Sequence, residues 1–160
     1  MKLFDKIGPL CIVLALIVAA VAFPFPSIER EKIEEPAPLP KVETLYDKCV
    51  SGTIVPAARL RAHAIVESDE RDDAIGDGGK SLSRFQLYEV YHDYRAAKWG
   101  AYNVNDPEQA GRIAALYIQE TINAFPGDPD MQITAYCFGI EGARRHGVDM
   151  VYVARVKSAL

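Results

Sequence analysis

Glu67 is the residue of this sequence best placed for acid chemistry. It lies on the same predicted helical stripe as Leu60 and Ala64, so its carboxyl group points towards an apolar side near the end of the helix. Partial burial raises the pKa of a carboxyl group, and a general acid that works near neutral pH needs a raised pKa. A solvated glutamate at a helix end is the alternative, and the spacing alone favours it, so the surrounding residues must decide.

A glycine-rich stretch follows Glu67 and ends like a nucleotide-binding loop. It reads AIGDGGKS over residues 74–81. A phosphate loop needs glycine at both ends of its four-residue gap, because its backbone N–H groups must approach the phosphates, and here the first position is Ala74. The acidic residues 67–73 stand where a buried apolar strand is needed, and they repel phosphate. We therefore expect a loop that shapes another kind of site and binds no nucleotide.

The elements that would position these residues are mostly helical. Pro56 and the sequence Asn105-Asp106-Pro107-Glu108 are helix start signals, because proline fits the first turn and Asn or Asp caps it. The apolar spacing predicts helices over residues 56–67, 85–99, 105–125, 130–138 and 150–159. Glycines at 139, 142 and 147 are predicted to interrupt the last part of the chain. Strand alternation is missing, although Gly76–Ser83 is suited to a small β ribbon, and the predicted fold class is mainly α.

The N-terminus predicts export from the cytoplasm. Residues 7–25 are almost wholly apolar and close to the lower length limit of about 17 to 25 residues for a membrane-spanning helix. The run ends in Ala20-Val21-Ala22, which also fits a signal-peptide cleavage site, so residues 1–25 are either a single-pass anchor or a signal peptide. Lys2 and Lys6 favour an N-terminus inside. A Pro- and Glu-rich spacer over residues 26–41 then leads to a globular domain over residues 42–160.

Charge and histidine spacing exclude several partners and cofactors. A net charge of −4 with no clustered basic face disfavours nucleic acid. His63, His92 and His146 lack the paired spacing of a metal site, so we expect structural or surface roles for them and no metal or other cofactor. One helix is rich in aromatic residues, whose spacing is more typical of a core than of a sugar-stacking face: Tyr88, Tyr91, Tyr94 and Trp99.

The cysteine count leaves one pairing open. Cys11 lies in the apolar N-terminal segment, so Cys49 and Cys137 remain for the exported part. An oxidising compartment permits a disulfide between them. Two unpaired buried thiols are the alternative, and the spacing does not decide.

The order of motifs along the domain resembles a known family. Glu67-Ser68 is followed by Ile75-Gly76-Asp77, then by Gln86, and much later by Ala135-Tyr136-Cys137-Phe138-Gly139. This order resembles soluble lytic transglycosylases and goose-type lysozymes, in which a helix ends in Glu-Ser, a Gly-rich loop leads to Gly-x-x-Gln, and a later helix carries Ala-Tyr-Asn-x-Gly. The likeness is greatest to a phage and bacterial branch with an Ile-Gly-Asp loop, and it covers about residues 60–157. It implies a lysozyme-like α domain in which residues 74–81 wall a sugar cleft.

The resemblance also implies roles for four residues. Glu67 is expected to be the catalytic acid/base, Ser68 its hydrogen-bonding neighbour in the substrate site, Gln86 a cleft-lining amide, and Tyr136 a cleft hydroxyl close to Glu67. Two positions depart from the family pattern. Ser83 replaces the glycine before the glutamine, and Cys137 replaces the asparagine after the tyrosine.

The implied chemistry is cleavage of the β-1,4 bond between MurNAc and GlcNAc in peptidoglycan. In the transglycosylase variant one glutamate protonates the glycosidic oxygen and then deprotonates the muramic acid's own primary hydroxyl, which closes an anhydro ring. A hydrolytic muramidase is the alternative, because glycosidases normally use two carboxylates. The sequence offers several acids for that second role: Asp69, Glu70, Asp72, Asp73 and Asp77.

A role without catalysis is the rival from another functional class. Changes at Ser83 and Cys137 suit a protein that binds glycan, or that scaffolds an envelope or virion complex, without cleaving it. Retention of Glu67-Ser68 and Gln86 speaks against this hypothesis, since a binding protein needs no acid with a raised pKa.

Overall fold

The computed structural model describes residues 44–160, all of which belong to one compact unit. The predicted N-terminal apolar segment (residues 1–25) and the spacer (residues 26–41) lie outside the described residues. Within residues 44–160, no helix combines the length and the apolar character that crossing a membrane requires.

The described part of the chain is mainly α, as predicted. It contains seven α-helices and a short 3-10 helix over Glu89–Tyr91. The helices in chain order are α1 (Leu45–Val50), α2 (Ala57–Ser68), α3 (His92–Trp99), α4 (Pro107–Ala124), α5 (Pro129–Phe138), α6 (Ile140–His146) and α7 (Met150–Ser158).

A three-stranded antiparallel sheet lies between α2 and α3 in the chain. Its strands are β1 (Ile75–Gly76), β2 (Ser81–Leu82) and β3 (Leu87–Tyr88), in the spatial order β1-β2-β3. Ile75 pairs with Leu82, and Leu82 pairs in turn with Leu87. The predicted ribbon over residues 76–83 is therefore confirmed, and a third strand extends it.

Helix caps explain why α4, α5 and α7 begin where they do. The side chain of Asp106 accepts hydrogen bonds from the backbone N–H groups of the first turn of α4, and Pro107 follows it. Asp128 caps α5 in the same way before Pro129, and Asp149 caps α7. Each carboxylate satisfies N–H groups that would otherwise lack partners, and it complements the positive end of the helix dipole.

The core is centred on α4, which packs against α1 and α5 and also contacts α2 and α3. Small residues on α4 allow close approach. A Cβ at Gly111 would lie 2.4 Å from the Cys49 sulfur and 3.2 Å from the Phe85 ring, so no larger residue fits there. Helix α7 packs against α2 and α5 and buries Val153 and Val156. This arrangement fixes the end of α2 against α7.

The predicted helix over residues 85–99 is wrong in its first half. Phe85 and Leu87 are both buried while Gln86 between them has a φ of +48°, a left-handed backbone that no helix contains. Pairing of β3 with β2 therefore overrides the helical spacing, and the helix begins only at His92. As a consequence Tyr91 and Tyr94 are more than half exposed, at 55% and 57%, so the expected core role of the aromatic residues is wrong for these two.

Two helices differ from expectation, and the two cysteines, whose pairing the sequence left open, are unpaired. Helix α1 was not predicted, and α6 runs through Gly142, where a break was expected. Gly142 is buried there and packs closely on α5, since a Cβ at this position would lie 3.0 Å from the Phe138 side chain. The disulfide is absent: Cys49 is a buried free thiol whose sulfur lies 3.5 Å from the Glu108 carbonyl oxygen, whereas Cys137 is exposed on α5.

Candidate active site

Glu67 lies one residue before the end of α2. Asp69 and Glu70 then take left-handed backbone conformations, with φ values of 59° and 60°. Their N–H groups bond to the carbonyl oxygens of Ile65 and Ala64, at 2.9 and 3.2 Å, which closes the last turn. The chain therefore leaves the helix directly after Glu67-Ser68, and the Glu67 side chain stands at the rim of the helix end.

The carboxyl group of Glu67 is held by a neutral partner. Its Oε1 accepts a hydrogen bond from the hydroxyl of Tyr152 on α7. Burial raises the pKa of Glu67, while the bond from Tyr152 and the charge of Arg155 oppose this shift and the charge of Asp77 adds to it. The Arg155 guanidinium donates to the Val66 carbonyl oxygen at 2.8 Å, and no ion pair in the described part of the chain involves Glu67.

His63 stands behind Tyr152, one turn before Glu67 on α2. Its Nδ1 lies 3.1 Å from the Tyr152 hydroxyl oxygen, and its ring packs against the ring of Tyr136 with centroids 4.3 Å apart. The side chain is fully buried, and burial lowers the pKa of His63 to about 3. The imidazole is therefore neutral at physiological pH, and we call Glu67, Tyr152 and His63 the Glu67 cluster.

Tyr136 lies beneath this cluster and does not present a free hydroxyl. Its hydroxyl donates to the Phe85 carbonyl oxygen at 2.9 Å, and the residue is 9% exposed. Burial, and then the charge of Glu67, raise the pKa of Tyr136 well above its usual value. The structure thus places Tyr136 beside Glu67, as expected, but uses its hydroxyl to hold the segment that carries Phe85.

Ser68 joins the end of α2 to the loop over residues 69–86. Its hydroxyl donates to the Arg84 carbonyl oxygen at 3.0 Å and accepts from the Arg71 N–H group at 3.1 Å. The residue is only 7% exposed. Ser68 therefore contacts backbone on both sides, and the structure gives it a role in fixing the loop next to Glu67.

Gln86 fixes the other end of the same loop. Its side-chain amide donates to the Ser83 carbonyl oxygen at 2.9 Å and, at 3.4 Å, to that of Ala74. The amide oxygen packs so tightly on Gly76 that a Cβ there would lie 2.1 Å away. A larger residue at position 76 would therefore displace the Gln86 amide, which ties β1 to the turn before β3.

Backbone strain is concentrated in this loop. Within residues 44–160, every non-glycine residue with positive φ lies between 69 and 86: Asp69, Glu70, Asp77, Ser83 and Gln86. Such conformations are held at a cost of about 1 kcal/mol or more each, and they cluster at functional sites. The strained non-glycine residues of the described part of the chain thus all follow Glu67-Ser68 and belong to the loop beside them.

Three acidic residues near Glu67 have different hydrogen-bond partners. Glu70 accepts from Arg61 and from the Tyr46 hydroxyl, and Asp72 binds Arg84 through two hydrogen bonds of 2.5 and 2.8 Å. Asp77 accepts instead from the Ser81 hydroxyl at 2.6 Å, and among the carboxylates only its charge contributes to the raised pKa of Glu67. Glu70 and Asp72 are therefore bound by arginines, whereas Asp77 is held by a hydroxyl group.

Sequence reasoning missed the two residues that complete the Glu67 cluster. His63 was expected to be structural or on the surface, although its spacing of four residues from Glu67 puts both on one helix face. Tyr152 lies 85 residues from Glu67, and no local spacing could connect the two. No group of three or more potential metal ligands occurs within residues 44–160.

The comparisons with known proteins name no relative. Neither a protein-family model nor a curated protein matches this sequence. The residues of the site and the order of the motifs are therefore the basis for assigning a function.

Proposed function

We propose that this chain is a peptidoglycan lytic transglycosylase with Glu67 as its single acid/base. One observation carries the proposal: Glu67 is a partly buried carboxyl group whose hydrogen-bond partner is a neutral phenol, beside a strained glycine-rich loop. A carboxyl group in such surroundings keeps its proton to a higher pH than an ordinary glutamate, as a general acid must. The motif order adds the substrate class and a lysozyme-like fold to the proposal.

The reaction has two proton transfers, both at Glu67. The acid first protonates the oxygen between MurNAc and GlcNAc, and the C1–O bond breaks as the GlcNAc end leaves. The acetamido group of MurNAc stabilises the cation-like centre at C1. The Glu67 carboxylate then removes the proton of the MurNAc primary hydroxyl, whose oxygen bonds to C1, so the product has an anhydro ring and no water is consumed.

The two departures from the family pattern leave this chemistry in place. Ser83 has a φ of +67°, the left-handed conformation in which glycine is ordinarily preferred, so the backbone keeps that path despite the side chain. Cys137 is an exposed residue on α5. The pKa of its thiol is raised, first by partial desolvation and next by the negative charge of Glu67. An exposed thiol near Glu67 can line the substrate site, though it lacks the hydrogen-bonding capacity of an amide.

A hydrolytic muramidase is the second candidate, and Asp77 is the observation that favours it. Its charge acts on Glu67, and an exposed carboxylate across a sugar site could activate water. In that case Glu67 would remain the acid and the product would carry a reducing end. The N-terminal segment adds the proposal that the enzyme works outside the cytoplasm, anchored to or exported across the membrane.

Mass spectrometry of the glycan fragments released from purified peptidoglycan tests both candidates. The full chain would be compared with Glu67→Gln, with Asp77→Asn and with Glu70→Gln as the matched control. Anhydro-muramic ends made by the parent, Asp77→Asn and Glu70→Gln, but lost by at least about 1,000-fold in Glu67→Gln, are the expected result. Reducing ends that also disappear in Asp77→Asn would establish the muramidase.

Absence of any release by the folded parent would overturn the enzyme. If the parent then bound peptidoglycan and Glu67→Gln bound it equally, the glycan-binding or scaffold role would take its place. Near-UV circular dichroism of each variant shows whether the fold is intact.

A further inference from the structure

We propose that His63 is a positioning residue: it holds the Tyr152 hydroxyl so that the hydroxyl proton points at Oε1 of Glu67 and the acid proton must sit on Oε2. The catalytic meaning of this inference rests on the proposed function. The hydrogen-bond order itself is a property of the Glu67 cluster.

The Tyr152 hydroxyl lies between two neighbours but has a single proton. It contacts Oε1 of Glu67 on one side, and Nδ1 of His63 lies 3.1 Å away on the other. If Nδ1 carries the imidazole proton, Tyr152 accepts from His63 and must donate to Glu67. If Nε2 carries it, Tyr152 donates to His63 and would have to accept the acid proton of Glu67. The tautomer of His63 therefore decides the direction in which both hydrogen bonds of the Tyr152 hydroxyl donate.

The surroundings of His63 select the proton on Nδ1. Nε2 is buried and has no hydrogen-bond partner among residues 44–160. A proton there would leave an unsatisfied buried donor, which is rarer and costlier in proteins than a bare acceptor. Arg59 stands one turn earlier on α2 with two further buried donors, Nε and Nη2, that also lack partners. Burial, and then the positive charge of Arg59, lower the pKa of His63, so the imidazole carries only one proton to place.

A second site in the same protein shows the same order without any choice of tautomer. Nη1 of Arg84 donates to the Tyr46 hydroxyl oxygen at 3.0 Å, and that hydroxyl donates to Oε1 of Glu70 at 2.6 Å. Arginine has no acceptor, so Tyr46 can only pass its proton on to the glutamate. His63 with its proton on Nδ1 would donate to Tyr152 as Arg84 donates to Tyr46, but as an uncharged group.

This order has a direct consequence for an acid catalyst. A protonated carboxyl group has one carbonyl oxygen and one hydroxyl oxygen. Because Tyr152 donates to Oε1, that oxygen serves as the carbonyl, and the acid proton sits on Oε2, away from the buried Tyr152 and His63. After the proton leaves, the same bond stabilises the carboxylate for the second transfer. The opposite tautomer would hold the acid proton between Glu67 and Tyr152, where no substrate could receive it.

Other charged and titratable groups near Glu67 belong to three elements. They are Asp77 in the β1–β2 turn, Cys137 and Tyr136 on α5, and Arg155 with Tyr152 on α7. Both variants of His63 keep these residues and both remove the imidazole ring, so a difference in the titration of Glu67 between the two variants reports the lost or retained donor.

NMR of the full parent chain is the first test, because it needs no substitution and no activity. The ¹⁵N spectrum of His63 at neutral pH is expected to show a protonated Nδ1 and an unprotonated Nε2. The opposite tautomer would overturn the inference even if the chain cleaves peptidoglycan. The expected tautomer in a chain without activity would support the hydrogen-bond order and contradict only the proposed function.

Two variants then test the consequence for Glu67. His63→Leu removes the donor, whereas His63→Asn keeps an N–H group close to the place of Nδ1. In His63→Leu the ¹³C titration of the Glu67 carboxyl is expected to move up by about half a pH unit or more, and kcat to fall about tenfold with KM within about twofold. His63→Asn is expected to restore most of both. Equal losses in the two folded variants, with no shift of the Glu67 titration, would mean that His63 only fills space.

Discussion

Two glutamates three residues apart have opposite surroundings in this protein. Glu67 and Glu70 each accept a hydrogen bond from a tyrosine hydroxyl, Tyr152 in one case and Tyr46 in the other. Glu70 also binds the Arg61 guanidinium through contacts of 3.1 and 3.2 Å. Bonds from Arg61 and Tyr46 lower the pKa of Glu70, while burial raises the pKa of Glu67.

Burial and charge pairing, and not the tyrosine, set the two pKa values apart. Glu67 is desolvated and has a phenol as its donor, whereas Glu70 is bound by a guanidinium group. We call Glu70, Tyr46, Arg61, Arg84 and Asp72 the Glu70 cluster, in which two arginines balance two carboxylates. In the Glu67 cluster the donors are a phenol and a neutral imidazole. A carboxylate paired with guanidinium groups gives up its proton readily and stabilises the fold, whereas a buried carboxyl group outside an ion pair keeps its proton to a higher pH.

Among the tests of this contrast between Glu67 and Glu70, the largest expected effect comes from removing each tyrosine hydroxyl in turn. Tyr152→Phe should lower kcat about 10- to 100-fold, because Glu67 loses the bond that orients its two oxygens. Tyr46→Phe should leave kcat within about twofold and instead lower the free energy of unfolding by about 1 kcal/mol, since Glu70 and Arg84 lose a shared partner. Steady-state kinetics on soluble peptidoglycan fragments and urea denaturation of both variants provide the measurements.

Equal kinetic losses in the two variants would break the comparison. They would mean that both tyrosines act through the packing of α2 and not through their glutamates.

The next largest effect is that Glu67→Gln and Glu70→Gln should change the free energy of unfolding in opposite directions. At pH 7 Glu67→Gln should raise the free energy of unfolding by about 0.5 to 2 kcal/mol, because it removes a poorly solvated carboxylate whose presence serves function. Glu70→Gln should lower it by about 0.5 kcal/mol, the usual worth of a solvent-screened ion pair.

The pH dependence follows from the directions of the two pKa shifts. The pKa of Glu67 is higher in the folded protein than in the unfolded chain. Ionised Glu67 therefore lowers the free energy of unfolding, and this loss is absent below the unfolded pKa of about 4.3 and grows as the pH rises through the folded pKa. Glu70 has a lowered folded pKa, so its stabilisation is present above about 4.3 and is lost as the pH falls through the folded value. Urea denaturation from pH 3 to pH 7 should show both differences shrinking towards acid. A stabilising effect of Glu67→Gln that persists at pH 3 would contradict the account.

Local signals predicted most of the helices and the position of Glu67 on α2. Asp106 with Pro107, and the apolar spacing around Leu60 and Ala64, act within one or two turns, so the sequence carries them directly. The helix start at His92 was not predictable in this way. The apolar spacing over residues 85–99 does fit a helix. Pairing of Leu87 with Leu82, which depends on the geometry of the turn between them, replaces the first part of that helix with a strand.

The composition of the site was predictable only in part. Glu67 could be selected from spacing and motif order, because the acid and its helix are local. The partners that set its chemistry come from elsewhere: Tyr152 reaches it across 85 residues through the packing of α7 on α2. The partners of Glu70 are likewise distant: Arg61 lies nine residues earlier and forms an ion pair with it, and Tyr46, in a helix that was not predicted, donates a hydrogen bond to it. Which of several acids is paired therefore required the tertiary structure.

The smallest expected effect concerns the loop that both clusters share. Ser83 has a φ of +67°, its neighbour Arg84 belongs to the Glu70 cluster, and the Phe85 carbonyl oxygen accepts from Tyr136 beneath Glu67. Ser83→Gly should relieve a backbone strain of about 1 to 2 kcal/mol, offset in part by about 0.4 to 1 kcal/mol of extra freedom in the unfolded chain. We expect a net gain of about 0.5 kcal/mol in the free energy of unfolding, measured by urea denaturation.

Ser83→Ala is the matched control for that gain, because it removes the hydroxyl but keeps the strained backbone with a Cβ. Its hydroxyl accepts only a long contact of 3.4 Å from the Phe85 N–H group, so Ser83→Ala should be no more stable than the parent. Neither substitution changes a charge or a donor in either cluster, and the titrations of Glu67 and Glu70 should therefore stay where they are. If Ser83→Gly moved one titration and not the other, the loop would couple to a single cluster, and the contrast between the two glutamates would depend on backbone position as well as on burial and charge pairing.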